Sequence, residues 1–342
     1  MKHSLIIVVF LCFQSLFSQA ISGKVYDVKT GNVIEGASVY FDRSSIGKIT
    51  DEQGYFSIAP QLNSNTPLVI SHIGYETLVI EYPKLGENLE IGMTEEFFKL
   101  SEVVLLSDPF TRKQKLEVFR KEFLGESVGG ENSAILNEDA LTLSFNSSTN
   151  TLSAYTSEPL VIINDYLGYN IRFDLLDFNI NFKTKSLKRI DNIRLTYIYG
   201  HTFFTDLSIK EERFTSRRNR VFKGSVQHFM QTIWNQSWLE ESFELRSYDL
   251  KQIEISDAFE VSVGSNFFSK KVNFKLNKFK ITYKRGIFKN WSSLTLISGN
   301  SIIIDKYGSY SPYQLLEFGG EMADHRIGDV LPLDFEVNQI FN

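Results

Sequence analysis

One serine in this sequence lies in a motif associated with nucleophilic catalysis. Gly125-Glu126-Ser127-Val128-Gly129 matches the GxSxG pattern, in which a tight strand-to-helix turn exposes the serine hydroxyl beside a base. Residues 111–124, which precede it, place Leu116, Phe119 and Phe123 at helical spacing, and a polar stretch follows. We therefore interpret Gly125 as the end of a helix and assign no catalytic residue to the motif.

The histidines do not form a metal-binding motif. Zinc carboxypeptidases use an HxxE pair with a distant histidine, because that spacing directs an imidazole and a carboxylate at one ion. His72, His201, His228 and His325 are widely separated, and none is followed three residues later by a glutamate. The sequence also contains no phosphate-binding loop, dinucleotide fingerprint or EF-hand loop, so we predict no metal and no cofactor.

A cationic cluster is the first candidate binding site. Its members are Arg213, Arg217, Arg218 and Arg220. Guanidinium groups bind phosphates and carboxylates in a bidentate manner, so this segment is a candidate for binding an anion or an acidic partner. The alternative is a solvated helix face whose charges balance the nearby Glu211 and Glu212.

An aromatic pair is the second candidate. Trp234 and Trp238 lie four residues apart, with Phe229 and Phe243 nearby. They could form an aromatic platform for a sugar ring or a protein partner. The alternative is that these rings belong to a core, because large aromatic side chains mostly supply buried area.

The beginning of the chain has the pattern of an export signal. Lys2 is followed by an apolar run over residues 5–13 and then by Ser18-Gln19-Ala20, which predicts a signal peptide over residues 1–20. The single cysteine, Cys12, lies within it. We therefore expect an exported protein of the periplasm, outer membrane or cell surface, whose mature chain forms no disulfide.

Composition indicates a packed protein without nucleic-acid binding. The chain is 42% hydrophobic and 14% aromatic, as expected for a globular fold. Removing Lys2 from 36 basic and 41 acidic residues leaves 35 against 41, a net charge of -6. Nucleic-acid binding depends on clustered cations, which this balance does not favour.

The arrangement of turn residues predicts a mainly β fold with two domains. Residues 21–94 read as a seven-stranded β-sandwich, because short alternating segments are separated by turns. Residues 95–125 read as a linker strand and an amphipathic helix. Residues 126–342 read as a larger β-rich domain with a helical insertion, in which the alternation slips at Leu176-Asp177 and predicts a bulge.

Two family resemblances accompany these patterns. GKVYDVKTGNVIEGASVYFD, GKITDEQGYFSI and LVISHIGYETLVI resemble the carboxypeptidase-like regulatory domain, a transthyretin-like β-sandwich also found in the N-terminal extension of TonB-dependent receptors. That resemblance implies a module without a catalytic site. FRKEFLGES, EPLVIINDYLGYNIRFDLLDF, RRNRVFKGSVQHF and GEMADHRIGDVLPLDFE resemble an uncharacterised C-terminal region of Bacteroidota envelope proteins, which implies no activity.

The leading functional hypothesis is a non-enzymatic envelope protein. It would act as a binding or scaffolding module for an outer-membrane protein or a surface glycan, with peripheral association to the outer membrane. One alternative is an unrecognised hydrolase in the C-terminal domain, which would require Ser127 or two histidines to meet a carboxylate in one pocket. The other is a small outer-membrane β-barrel built from alternating stretches such as NIRFDLLDFNINFK.

Overall fold

The computed structural model describes residues 20–59, 66–81, 83–84, 86–96, 108–189, 191–207, 212–238, 240–266, 268–285 and 288–337. Residues 1–19, most of the predicted signal peptide, and the segment 97–107 of the predicted linker lie outside this description. The chain divides into two compact units, Met1–Lys99 and Leu100–Asn342. The fold is mainly β, as the sequence predicts.

The N-terminal unit is a β-sandwich, which confirms that prediction. Its strands are β1 Ile21–Asp27, β2 Ser38–Phe41, β3 Gly47–Ile49, β4 Tyr55–Ile58, β5 Leu68–Ser71, β6 Leu78–Ile80 and β7 Asn88–Met93. They form one sheet in the order β4-β1-β7 and a second in the order β3-β2-β5-β6. β1 pairs in parallel with β7, and the other pairs are antiparallel.

Alternation along β1 explains how this sandwich forms its core. Ile21 and Val25 are buried on one face, together with Leu68, Ile70 and Met93 from other strands. The turn after β1 is held by Asp27, whose carboxylate accepts hydrogen bonds from the Thr30 backbone N–H at 2.6 Å and from its hydroxyl at 2.8 Å. Short polar side chains stabilise turns in this way, because they replace a missing backbone partner.

The C-terminal unit begins with helices packed on a six-stranded sheet. The helices are α1 Arg112–Leu124 and α2 Val128–Glu131, and a 3-10 turn spans Glu138–Ala140. The strands are β8 Ser133–Ile135, β9 Leu141–Asn146, β10 Thr151–Thr156, β11 Leu160–Asn164, β12 Tyr169–Phe182 and β13 Ile193–Asp206. Their order is β8-β11-β12-β10-β9, and β13 pairs with the other edge of β12.

The predicted bulge is present in β12. The pairing of β12 with β13 shifts register between Leu175 and Asp177, and Leu176 between them is 47% exposed. One extra residue lets the apolar side chains on both sides of the bulge face the same core. Phe119 and Phe123 of α1 pack on this core against Phe178, with ring centres 4.6 and 6.3 Å away.

The rest of the C-terminal unit contains the predicted helical insertion and two more sheets. The helices are α3 Glu212–Phe222, α4 Val226–Asn235, α5 Ile255–Ala258 and α6 Glu321–Asp324, with 3-10 turns at Tyr313–Leu315 and Ile327–Asp329. The strands are β14 Phe243–Arg246, β15 Gln252–Ile253, β16 Phe259–Val263, β17 Lys270–Phe274, β18 Lys278–Arg285, β19 Phe288–Leu296, β20 Ser301–Ile304, β21 Tyr310–Ser311 and β22 Leu316–Gly320. Their orders are β15-β14-β18-β19-β22 and β16-β17-β20-β21.

Helix α4 anchors the second core of this unit. Phe229, Met230 and Ile233 lie on its buried face. They belong to one apolar cluster with Phe259 and Phe279 from the two sheets. Ser225 begins the helix, because its hydroxyl accepts a hydrogen bond from the His228 backbone N–H at 3.1 Å.

Candidate ligand-binding cavity

A cavity of about 630 Å³ lies in the C-terminal unit where segments far apart in the sequence converge. These segments are the end of α1 with α2, the turn before β12, the loop between β12 and β13, the end of α3, and α6 with the 3-10 turn after it. The lining residues are Lys121, Glu122, Gly125, Glu126, Ser127, Val128, Gly129, Tyr166, Arg189, Arg220, Val221, Lys223, Glu321, Asp324, His325, Arg326 and Asp329.

The GxSxG segment forms one wall, and its backbone confirms that Gly125 ends a helix. Gly125 has a φ of 95° and its N–H donates to the Lys121 carbonyl at 3.1 Å, which closes α1. Ser127 then begins α2, because its hydroxyl accepts from the Gly130 N–H at 3.0 Å. A helix therefore precedes this serine where a nucleophile elbow has a strand.

Close backbone packing joins this wall to the segment after α6. A Cβ atom on Gly129 would lie 2.2 Å from the Gly328 carbonyl oxygen and 2.7 Å from Asp329 Oδ1. Glycine is therefore required for the two segments to approach each other. Asn164 fixes the same carbonyl, because its Nδ2 donates to Gly328 O at 2.9 Å.

Asp329 is the most deeply placed carboxylate next to Ser127. It is 8% exposed, and the Ser127 hydroxyl lies close enough to favour its ionised form. Burial raises the pKa of Asp329, while the Ser127 hydrogen bond and the charge of His325 act in the opposite direction. Ser127, His325 and the Asp329 carboxylate thus line one cavity, the arrangement that the hydrolase alternative requires, but among the described residues no hydrogen bond joins Ser127 to His325.

A buried glutamate organises the cations of the cavity. Glu122 is 5% exposed, and it accepts from Arg189 Nε at 2.8 Å, from the Thr196 hydroxyl at 2.7 Å and from Arg326 Nη2 at 3.4 Å. Arg189 also pairs with Glu126 at 2.7 Å, which lowers the pKa of that carboxyl. These bonds satisfy the buried charge and hold both arginines in place.

Two charged side chains of the lining are left to meet a ligand. Within the part of the chain that the structure describes, the side chains of Lys223 and Asp324 have no hydrogen-bond or ion-pair partner. Lys223 follows α3 and Asp324 ends α6. The cavity can therefore bind a ligand or a protein segment that carries both an anionic and a cationic group.

The structure separates the four arginines of the predicted cluster. All lie on α3, but Arg218 is buried, and its guanidinium binds Asp206 Oδ2 at 2.8 Å and the Leu167 carbonyl at 2.8 Å. It also lies 3.8 Å from the centre of the Tyr169 ring. Arg218 is thus bound within the fold and is not available to an external anion, a correction to its place in the cluster.

The other three arginines have different positions on the same helix. Arg213 lies 4.6 Å from the centre of the Phe214 ring, and Arg217 lies 4.9 Å from the centre of the Tyr166 ring. Arg220 is exposed and lines the cavity. Arg220 is therefore the arginine of the cluster that lines the cavity together with Lys223.

The predicted aromatic pair lies at the edge of the second core. Trp234 and Trp238 are partly buried and pack against that core, and the Trp238 ring centre lies 6.2 Å from that of Phe259. Lys270 places its Nζ 4.7 Å from the centre of the Trp234 ring and donates to the Trp234 carbonyl at 2.6 Å. Because both rings are partly exposed, their role as a platform for a sugar ring or a protein partner stays a prediction.

Within the described ranges, no three histidine, cysteine, aspartate or glutamate side chains lie close enough together to hold a metal ion. Among the same residues, no helix has the length and apolar character needed to cross a membrane. Sequence reasoning missed Tyr166, Arg189, Arg326 and Asp329 as lining residues. No spacing signal relates them, because they come from separate loops.

Comparison with known proteins places the N-terminal unit in a family. Residues 21–105 match the model of the CarboxypepD_reg-like domain, and this part of the chain is a carboxypeptidase-regulatory-like domain. Over 106 residues the chain is 35% identical to the TonB-dependent receptor P26 of Formosa agariphila. That match covers 31% of this chain and 10% of the receptor, so the chain spans about a tenth of its relative's length.

Two solved structures show weaker likeness. A cohesin-X-dockerin complex of Acetivibrio cellulolyticus is 21% identical over 22% of this chain and 52% of its own, with a TM-score of 0.19. A putative carbohydrate binding protein of Bacteroides uniformis is 7% identical over 84% of this chain and 99% of its own, with a TM-score of 0.19. TM-scores of this size define no shared fold.

Proposed function

We propose that this protein is a non-enzymatic envelope protein that binds a partner through its N-terminal domain and through the cavity of its C-terminal unit. The observation that carries the proposal is the state of Ser127. Its hydroxyl accepts from the Gly130 N–H at 3.0 Å and so begins α2, and a helix rather than a strand precedes it. Serine hydrolases pair the nucleophile with a histidine base, and among the described residues no histidine is hydrogen-bonded to Ser127.

The N-terminal domain supports the same function. A carboxypeptidase-regulatory-like domain is non-catalytic, and the similarity to a TonB-dependent receptor supports a location in the envelope. Tyr55 on β4 is 52% exposed, with Lys24 Nζ 5.4 Å from its ring centre. Aromatic residues are enriched in protein interfaces, so this exposed ring is the part of the domain that we assign to a partner.

Photo-crosslinking in cells tests the proposal. A photoreactive phenylalanine analogue replaces Tyr55 or, at the cavity rim, Val128, which is 57% exposed. The matched control replaces Val263, which is 85% exposed on β16. We expect discrete adducts of one mass from Tyr55 or Val128 and none from Val263. Equal adducts at all three positions, or none at any, would contradict a specific binding role.

Covalent labelling tests the hydrolase alternative separately. The mature protein is treated with a fluorophosphonate, which reacts with activated serines, and compared with Ser127→Ala. We expect equal background signals, because among the described residues no histidine is hydrogen-bonded to this hydroxyl. Stoichiometric labelling that disappears in Ser127→Ala, with the fold intact by tryptophan fluorescence, would show that the protein is an enzyme.

A further inference from the structure

The outer face of the sheet β15-β14-β18-β19-β22 is rich in lysine and aromatic side chains. Along β18, Phe279, Ile281 and Tyr283 are buried in the second core. Because successive side chains of a strand point to opposite faces, the lysines at alternate positions of β18 lie on the outer face. These are Lys278, Lys280 and Lys284.

Two exposed aromatic rings lie beside these lysines. Tyr248 is 48% exposed and Trp291 is 42% exposed. Lys278 Nζ lies 4.9 Å from the centre of the Tyr248 ring, and Lys280 Nζ lies 5.6 Å from that ring and 5.8 Å from the Trp291 ring. Neither lysine side chain has a hydrogen bond or an ion pair with any residue that the structure describes. Their charges are therefore uncompensated by carboxylates.

The charge of this face is opposite to that of the protein. Glu244 on the neighbouring β14 pairs with Arg246 at 3.1 Å and with Lys284. Against this one carboxylate stand four described cations, which gives the face a charge of +3. These cations are Arg246, Lys278, Lys280 and Lys284. The exposed Glu317 lies two strands from Lys278 and reduces the charge of this face to +2. The whole chain, by contrast, has a net charge of -5. Such a local excess attracts an acidic ligand.

The surroundings of Trp291 leave room for a ring to stack. In the register of the sheet, Ser293 follows Trp291 on the outer face and lies opposite Gly319 of β22, which has no side chain. Thr282 lies opposite Trp291 on β18 and is buried, and its hydroxyl has no hydrogen-bond partner. The neighbours Thr282, Ser293 and Gly319 are thus all small.

We propose that this face binds an acidic polysaccharide. Sugar rings stack on Trp291 and Tyr248, and sugar carboxylates pair with Lys278 and Lys280. Aromatic rings bind the apolar faces of sugars, and ammonium groups pair with anionic substituents. A nucleic acid fits less well, because tight binding to a polyphosphate uses about 6–10 phosphate contacts. The inference does not depend on the cavity or on the N-terminal domain.

Binding of oligosaccharides to the full mature chain tests this inference. The probes are a uronic-acid oligosaccharide and a neutral oligosaccharide of equal length, followed by isothermal titration at low salt. We expect the uronic-acid probe to bind and the neutral probe to bind at least about tenfold more weakly, with an affinity for the acidic probe that falls as salt rises. Trp291→Ala and the double variant Lys278→Gln/Lys280→Gln should each weaken acidic-probe binding about tenfold.

Matched controls decide the outcome. Lys271→Gln removes an exposed lysine from β17 in the other sheet and should leave the affinity unchanged. A single-stranded oligonucleotide and anionic vesicles should bind more weakly than the acidic oligosaccharide. The inference is overturned if no acidic probe binds, if both oligosaccharides bind equally, if Lys271→Gln has the same effect as the double variant, or if the oligonucleotide or the vesicles bind more tightly.

Discussion

Replacing Arg218 by alanine should strongly destabilise the C-terminal unit. The guanidinium donates to the Leu167 carbonyl at 2.8 Å, and Leu167 is fully buried. Leaving a buried carbonyl without its donor costs about 1–3 kcal/mol. The ion pair with Asp206, whose side chain is 48% exposed, contributes about 1 kcal/mol or less. The stack on Tyr169 at 3.8 Å contributes about 1–2 kcal/mol.

These terms give a loss of about 4 kcal/mol in the free energy of unfolding. For a unit of this size, 1 kcal/mol corresponds to about 2–4 °C, so the melting temperature should fall by about 10 °C. The three tryptophans, at positions 234, 238 and 291, all lie in the C-terminal unit. Tryptophan fluorescence therefore reports the unfolding of this unit without a signal from the N-terminal domain.

Arg213→Ala is the matched control on the same helix. Arg213 is exposed, so its removal should lower the melting temperature by about 2 °C. Arg218→Lys should recover part of the loss, because an ammonium group keeps the charge but not the planar fork that reaches Asp206 and the carbonyl together. If Arg218→Ala melts within 2 °C of Arg213→Ala, the assignment of Arg218 to the fold is refuted.

Three further predictions concern the cavity and the second core. Gly129→Ala should lower the free energy of unfolding by about 1–3 kcal/mol, because its methyl group would meet the Gly328 carbonyl, whereas Val128→Ala should change it little; chemical denaturation compares them. Burial lowers the pKa of His228, so the unfolded chain binds a proton that the folded chain does not. The free energy of unfolding should therefore fall as pH drops below about 6.5. In His228→Gln, the urea midpoints measured at pH 7.5 and at pH 5.5 should lie closer together than in the unchanged protein. Burial raises the pKa of Asp329, so its ionisation lowers the stability of the fold as pH rises. Asp329→Asn should therefore raise the melting temperature at pH 7.5, by an amount that shrinks toward pH 4. An unchanged melting temperature at pH 7.5 would contradict the raised pKa.

Local patterns in the sequence predict much of the fold. The alternation over residues 21–94 identifies the strands of the sandwich, and the slip at Leu176-Asp177 identifies the bulge. The glycine after an amphipathic helix identifies the end of α1. Each of these features depends on neighbours within a few residues, and such neighbours are visible in a sequence.

The cavity could not be predicted, because its groups are joined only by tertiary contacts. Glu122 meets Arg189 and Arg326 across 67 and 204 positions of the chain. The same limit applies to Arg218, whose burial depends on Asp206 and Tyr169. The sequence displays a charged helix in this region, and only the fold shows which arginine points inward.

The basic sheet face had a signal that sequence reasoning did not use. Lys278, Lys280 and Lys284 stand at even spacing in a segment that reads as a strand, so they share one face. What the spacing cannot show is that Trp291 and Tyr248 come to lie beside them, because this depends on the pairing of β18 with β19 and on the turn after β14.

The central claim, a binding role without catalysis, is tested most directly by the photo-crosslink from position 128. The adduct is compared between the otherwise intact protein and the charge-reversed pair Lys223→Glu and Asp324→Lys, which alters the two unpaired charges of the cavity. The proposal predicts a discrete adduct that is lost in the charge-reversed protein. An adduct that survives charge reversal would contradict it.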